Sequence, residues 1–150
     1  MVFSKSAEYA VRAMVFLAMQ PPGKLTGARE IAEAEKIPMP FLWKILRQLA
    51  RQRLIRSFKG LRGGYELAMS PGKIRLSDVV FPTDGVQLKS DCVLGLPDCS
   101  EDNPCPLHHV WKDIRGRLLG MLEQNTLADL AEVAQRRTRK KRGRAKGTPK

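Results

Sequence analysis

The sequence predicts a mainly α-helical fold with a small β-hairpin wing: a winged helix-turn-helix followed by a long dimerisation helix. Three observations predict it. Two short amphipathic patterns joined by a tight turn lie between Thr26 and Leu54, a glycine-rich hairpin comes next at 54–68, and an apolar seam begins at Trp111. With 150 residues and 43% hydrophobic side chains, the chain has material for one core and some appendages.

In chain order, Tyr9, Ala10, Ala13, Met14 and Leu17 recur at helical spacing from Ser4 to about Met19, with Ser4 as cap and Glu8 in the favourable first turns. Pro21, Pro22 and Gly23 stop that helix, and Thr26 is the expected cap of a second one bearing Ala28, Ile31, Ala32 and Ala34. A short connection, Glu35 to Pro38, leads to Pro40, suited to a helix start, and to Leu42, Ile45, Leu46, Leu49 and Leu54 on one apolar face. In a helix-turn-helix the second helix enters the major groove with its N-terminal half toward the base edges.

Leu54 to Phe58 and Tyr65 to Ala68 read as strands around the turn Lys59-Gly60-Leu61-Arg62-Gly63-Gly64, a wing whose glycines permit a tight backbone beside a sugar-phosphate chain. Ser77 to Phe81 is a short helical segment, and 83–106 is a Gly-, Pro- and Asp-rich loop. Trp111, Ile114, Leu118 and Met121 then alternate at spacings of three and four, widened by Leu119 and Leu122. That surface exceeds what one small core needs and suits pairing with a second copy. Thr126 to Asp129 is a capping-box pattern opening a last short helix. From Arg136 almost nothing apolar remains, so the tail is expected to be disordered. The expected organisation is a DNA-binding unit at 1–82, a cysteine-rich loop at 83–106, dimerisation and short C-terminal helices at 107–134, and a basic tail at 135–150.

Charge points to a partner. The net charge is +12, and it is unevenly spread. Residues 1–35 hold four basic and four acidic side chains, 36–75 hold ten against the single acid Glu66, and 76–135 hold four against ten. The last fifteen add nine cations and no acid. A basic middle block that coincides with a helix-turn-helix and a wing indicates double-stranded DNA, with Lys5, Arg29, Trp43, Lys44, Arg47, Lys59 and Arg62 as the contacting set. Arg51 shares the recognition helix with Lys44 and Arg47, and a merely solvated face is the alternative for such charges. Trp43 lies beside the apolar face and is expected to be exposed; Phe41 is expected to pack. No stretch is long and apolar enough for a membrane span, and no leader pattern opens the chain, so a cytoplasmic location without membrane contact is expected.

The three cysteines read Cys92-x6-Cys99-x5-Cys105, and His108 stands just beyond as Cys105-Pro-Leu-His. An odd number of clustered cysteines suits a reduced thiol or metal site better than a disulfide framework. Thiolates suit iron-sulfur clusters and zinc, and an imidazole replaces a thiolate in either, but the spacing is not that of paired zinc knuckles. His109 is the competing imidazole. Asp91, Asp98, Glu101 and Asp102 add negative charge, so a metal-free loop repels itself and loosens, while a filled one is ordered. No nucleophile-base pair, phosphate-binding glycine loop or catalytic carboxylate pair is marked out, and an enzyme is not expected.

The first-helix run Tyr9-Ala10-Val11-Arg12-Ala13-Met14, the entry Ile31-Ala32, the wing from Lys59 to Tyr65 and the three-cysteine loop together resemble the Rrf-type (IscR/NsrR/RirA-like) winged-helix iron-sulfur transcription regulators, over most of residues 1–130. The run from Cys105 to Trp111 looks most like the IscR form. The resemblance implies a homodimeric regulator, a repressor first of all, with a 2Fe-2S cluster on Cys92, Cys99, Cys105 and His108. Glu8 matches a first-helix ligand used by some relatives and stands behind His108; a 4Fe-4S cluster or zinc are the other occupants. The first cysteine gap is one residue longer than in IscR, and Trp43 replaces an acidic side chain that helps IscR select DNA sites. A winged-helix regulator with a zinc or thiol-redox switch is the second reading, and a nonspecific structural nucleic-acid-binding protein the third.

Overall fold

The computed structural model describes residues 3–84, 92–97 and 100–145. Helix α1 runs Lys5–Ala18, started by Ser4, whose hydroxyl accepts from the Ala7 N–H at 3.1 Å. Its stripe of Ala7, Ala10, Ala13, Met14 and Leu17 is buried, and Tyr9 is half-buried. Helices α2 (Ala28–Glu35) and α3 (Met39–Arg51) form the helix-turn-helix. The turn between them is set by Lys36 in the left-handed region at φ 52°, with Ile37 buried behind it. Arg12 of α1 pairs with the Glu35 carboxylate at 3.3 Å and donates to the Glu35 carbonyl, so a cation satisfies the C-terminal end of α2. Pro40 stands in the first turn of α3, where its missing N–H costs nothing.

Strands β1 (Ile55–Phe58) and β2 (Gly64–Leu67) pair antiparallel, Ile55 opposite Leu67 and Phe58 opposite Gly64. Thr26 adds an antiparallel bridge to β2 at Tyr65. Its N–H donates to the Tyr65 carbonyl at 3.0 Å and its carbonyl accepts from the Tyr65 N–H at 2.8 Å. This corrects the expectation that Thr26 caps α2: its side chain is wholly buried, and Gly27 occupies the cap position with no side-chain bond. Pairing with β2 satisfies two backbone groups where a cap satisfies one, and sheet pairing wins.

A single 3₁₀ turn at Pro71–Lys73 precedes α4 (Leu76–Asp84), which takes in Thr83 and Asp84 from the segment expected to be loop. Helix α5 spans His108–Gln124 and α6 Leu127–Ala145. The α5–α6 junction is stitched to the chain before α4: Leu76 N–H donates to the Asn125 carbonyl and Leu127 N–H to the Ile74 carbonyl, both at 2.9 Å. Leu122 and Leu127 join Met14, Ile31, Leu42, Leu46, Leu49, Ile74, Val79 and Val80 in one core. The end of α5 and the start of α6 therefore complete the core of the unit expected at 1–82. Each such side chain contributes about 1.5–3 kcal/mol by leaving water.

The capping box of α6 is formed. Thr126 N–H and hydroxyl reach the Asp129 carboxylate at 2.8 and 2.9 Å, and the Asp129 N–H returns to the Thr126 hydroxyl at 3.3 Å. These bonds, the backbone one foremost, hold the Asp129 carboxyl below its ordinary range. The helix is longer than the short one expected: it continues from Arg136 to Ala145, through most of the tail expected to be disordered. Arginine, lysine and alanine are good helix formers, no proline intervenes before Pro149, and a capped packed start removes the nucleation cost. Residues 146–150 lie outside the described residues.

Candidate nucleic-acid interface and cysteine loop

Leu42, Ile45, Leu46 and Leu49 turn one side of α3 inward, and the same periodicity turns Trp43, Lys44, Arg47 and Arg51 outward. Trp43 is 48% exposed, as its position beside the apolar face predicts. Phe41 differs from its expectation of packing: it is 52% exposed and only leans edge-on against Tyr9, ring centres 6.2 Å apart. One residue ahead of Leu42, where the inward stripe begins, it falls at the margin of the core.

Lys59 and Arg62 sit exposed in the turn between β1 and β2, and Arg29 is exposed on α2. Among the described residues, Arg29, Lys44, Arg47, Lys59 and Arg62 form no ion pair with the protein's own carboxylates. Lys5 is different. It pairs with Glu8 at 3.0 Å and lies over the Tyr9 ring, 5.9 Å from its centre.

The wing glycines answer first to the hairpin itself. A Cβ on Gly63 would stand 2.1 Å from the Phe58 carbonyl oxygen, and one on Gly64 2.8 Å from the Thr26 carbonyl oxygen. Gly60 takes φ +104°, and Gly63 N–H closes the turn onto its carbonyl at 3.0 Å.

In the cysteine loop, Cys92 and Cys105 are half-buried, and Cys99 lies outside the described residues. Cys92 opens a turn in which its carbonyl accepts from Gly95 N–H at 3.0 Å; the Cys105 carbonyl accepts from His108 N–H at 3.0 Å. His108 begins α5 and is only 4% exposed, whereas His109 is exposed and stands edge-on to it at 5.3 Å. The His108 Nε2 is 4.0 Å from the Glu101 carboxylate, which also pairs with Lys112. Sequence alone groups Glu101 with the loop's other acids and does not give this placement, because its partners lie across the loop with no helical spacing to signal them. The donor types fit a cluster: two thiols held out of full solvent, and a buried imidazole at the positive end of a helix. Among the described residues, no three of His, Cys, Asp and Glu stand together as a metal-holding group. Glu8, the alternative donor, is engaged with Lys5.

The root of this loop is tied to α3 and the start of α1 by two contacts that the sequence does not announce. Gln48 of α3 donates its side-chain amide to the Pro82 carbonyl at 2.6 Å. Ser4 donates its N–H to Asp84 at 3.1 Å and its hydroxyl to the same carboxylate.

Residues 3–133 match the family Rrf2, described as iron-dependent transcriptional regulator. The chain belongs to the Rrf2 family. A Mycobacterium tuberculosis protein named as a putative HTH-type transcriptional regulator is 42% identical over 132 residues, covering 87% of this chain and 81% of its own. The solved IscR of T. potens superposes with TM-score 0.71 at 25% identity, over 89% of this chain and 88% of that one. CymR, the global cysteine regulator of B. subtilis, superposes with TM-score 0.76 at 24% identity, over 89% and 98%, a likeness of fold. Like the rest of the Rrf2 family, this winged-helix chain is a DNA-binding transcriptional regulator. No helix among the described residues is long and apolar enough to cross a membrane.

Proposed function

We propose that this Rrf2 protein is a homodimeric repressor whose grip on DNA depends on an iron-sulfur cluster held by Cys92, Cys99, Cys105 and His108. The observation that carries the DNA half of this reading is that Lys44, Arg47, Lys59 and Arg62 have no carboxylate partner among the described residues, in a block, 36–75, whose single acid is Glu66. Lys44, Arg47, Lys59 and Arg62, joined by Arg29 and Lys5, take phosphates. Trp43 and the exposed side of α3 meet the base edges. Lys5 must exchange its pairing with Glu8 for phosphate, and contributes least.

The buried imidazole of His108 and the half-buried thiols of Cys92 and Cys105 support the sensing half. Iron-sulfur chemistry supplies sensitivity to oxidants, nitric oxide and iron supply. The chain's own part is to gather the thiolates against the acids of the loop, a gathering that fails without the metal charge. When the loop loosens, its root at Pro82 to Asp84 is what Gln48 and Ser4 hold, so the change reaches α3 and the start of α1. The seam of α5 supports the dimer. Ile114 and Met121 are exposed and Trp111, Leu118 and Leu119 only half-covered in the single chain. A twofold pair of winged helices then reads two half-sites.

The test is a fluorescence-polarisation titration of duplexes from upstream regions of the source genome. Arg47→Ala and Lys59→Ala are expected to weaken binding about tenfold each, in keeping with about 1–3 kcal/mol for a lost charge-assisted contact. No preference over random duplex, or binding indifferent to both substitutions, overturns the reading. A second reading is a winged-helix regulator with a zinc or thiol-redox switch at the same cysteines; a colourless protein after anaerobic reconstitution favours it.

A further inference from the structure

Helix α6 has two halves with different surroundings. Its first half is anchored: Leu127 and Ala131 are buried, and the helix lies along α1 and the 3₁₀ turn. Every described residue after Ala134 is exposed, and the last acid of the chain is Glu132. Seven cations stand from Arg136 to Arg144, a length of about 13 Å at the rise of an α-helix. Among the described residues, only Arg136 of these has an acidic partner, Glu132.

An ordinary solvated helix face interleaves signs. Here the spacing does the opposite, with Arg136, Lys140 and Arg144 one above another and Arg137 above Lys141. Such rows repel along the helix, and cations occur on all its sides, so no face is left for a protein core. The family match ends at residue 133, so this basic half lies outside the matched residues.

We propose that the basic half of α6 is a second DNA-binding element that takes the sugar-phosphate backbone of duplex DNA outside the stretch gripped by α3 and the wing. This rests on the DNA-binding reading above. Once α3 and the wing are docked, flanking phosphates stand at high effective concentration around any rigid arm of the same molecule. A polyanion also relieves the repulsion between rows, which within the described chain only the Arg136–Glu132 pair offsets. Reading of bases is not involved, since arginine and lysine at these spacings meet phosphates without register to any sequence.

The experiment uses the full chain and a variant carrying Arg139→Gln, Lys140→Gln, Lys141→Gln and Arg142→Gln, which keeps helix propensity while removing four charges. Both are titrated against a mixed-sequence duplex of about 40 base pairs and a shortened one of about 16, across salt concentrations, with a thermal melt as folding control. At about 0.9 in log-log salt slope per phosphate, loss of two to four contacts makes the variant's slope shallower by about 2–3.5 on the long duplex. Its affinity there falls about 10- to 100-fold in moderate salt, and the difference shrinks on the short duplex. An unchanged slope with an unchanged melt overturns the proposal, as does a variant that loses binding to anionic vesicles but not to DNA. If Arg47→Ala still weakens binding in that case, the reading of α3 and the wing stands and only this inference falls; a wild type that binds neither duplex removes both.

Discussion

The segment 3–84 and helix α5 are built to different rules. In the first, α1, α2 and α3 each turn a continuous stripe inward, and most of the side chains that face out from α2 and α3 are charged. In α5, seventeen residues bury only His108 and Leu122, while Val110, Ile114 and Met121 face solvent. The first region is packed into one core, with Leu122 and Leu127 from the α5–α6 junction completing it. The second carries apolar surface that its own chain leaves uncovered, in keeping with the dimer proposed above.

Substitutions sharpen that contrast, most strongly in the packed half. Leu46→Ala empties a wholly buried site and is expected to cost about 2–5 kcal/mol in denaturant unfolding. Gly64→Ala drives a methyl into the Thr26 backbone, so about 1–3 kcal/mol is lost by the same measurement, with the wing displaced. Thr126→Ala removes a cap and costs about 1 kcal/mol, read as a lower melting temperature.

The same cap has a pH signature. Asp129 has a depressed folded pKa, so its stabilisation is complete above the ordinary carboxylate range and is lost as pH falls through the folded value. Asp129→Asn is expected to flatten that acid limb of the melting profile. Smallest in its effect on the fold is Ile114→Ser, within about 0.5 kcal/mol in a monomer because the side chain is already half exposed. Its effect appears in sedimentation instead, as a shift from dimer toward monomer; an unchanged dimer would remove α5 from the interface.

Periodicity and local chemistry made much of the fold legible in the sequence. The stripe of α3, the Ser4 cap, the Thr126 to Asp129 box and the hairpin are all readable because helix spacing and turn chemistry act within a few residues. Thr26 misleads because a threonine before a helix carries a cap signal, while its partner Tyr65 is distant in the chain and leaves no local trace. The reach of α6 is hidden because high charge argues against a core but not against a helix propagating from a packed start. Gln48 to Pro82 and Ser4 to Asp84 are long-range and polar, without a pattern to find. Of the proposed cluster donors, the sequence supplies types and spacing, and the structure adds that His108, not His109, is the buried imidazole.

Cluster-dependent DNA binding is best probed by an anaerobic absorption spectrum with iron and sulfide quantitation on wild type and Cys105→Ala, paired with a DNA titration of each at fixed salt. Visible bands with matched iron and sulfide are expected in the wild type and their loss in the variant, with different DNA affinities for loaded and unloaded protein. A colourless wild type after careful reconstitution, or a loaded and an unloaded protein that bind DNA alike, would refute a cluster that controls binding.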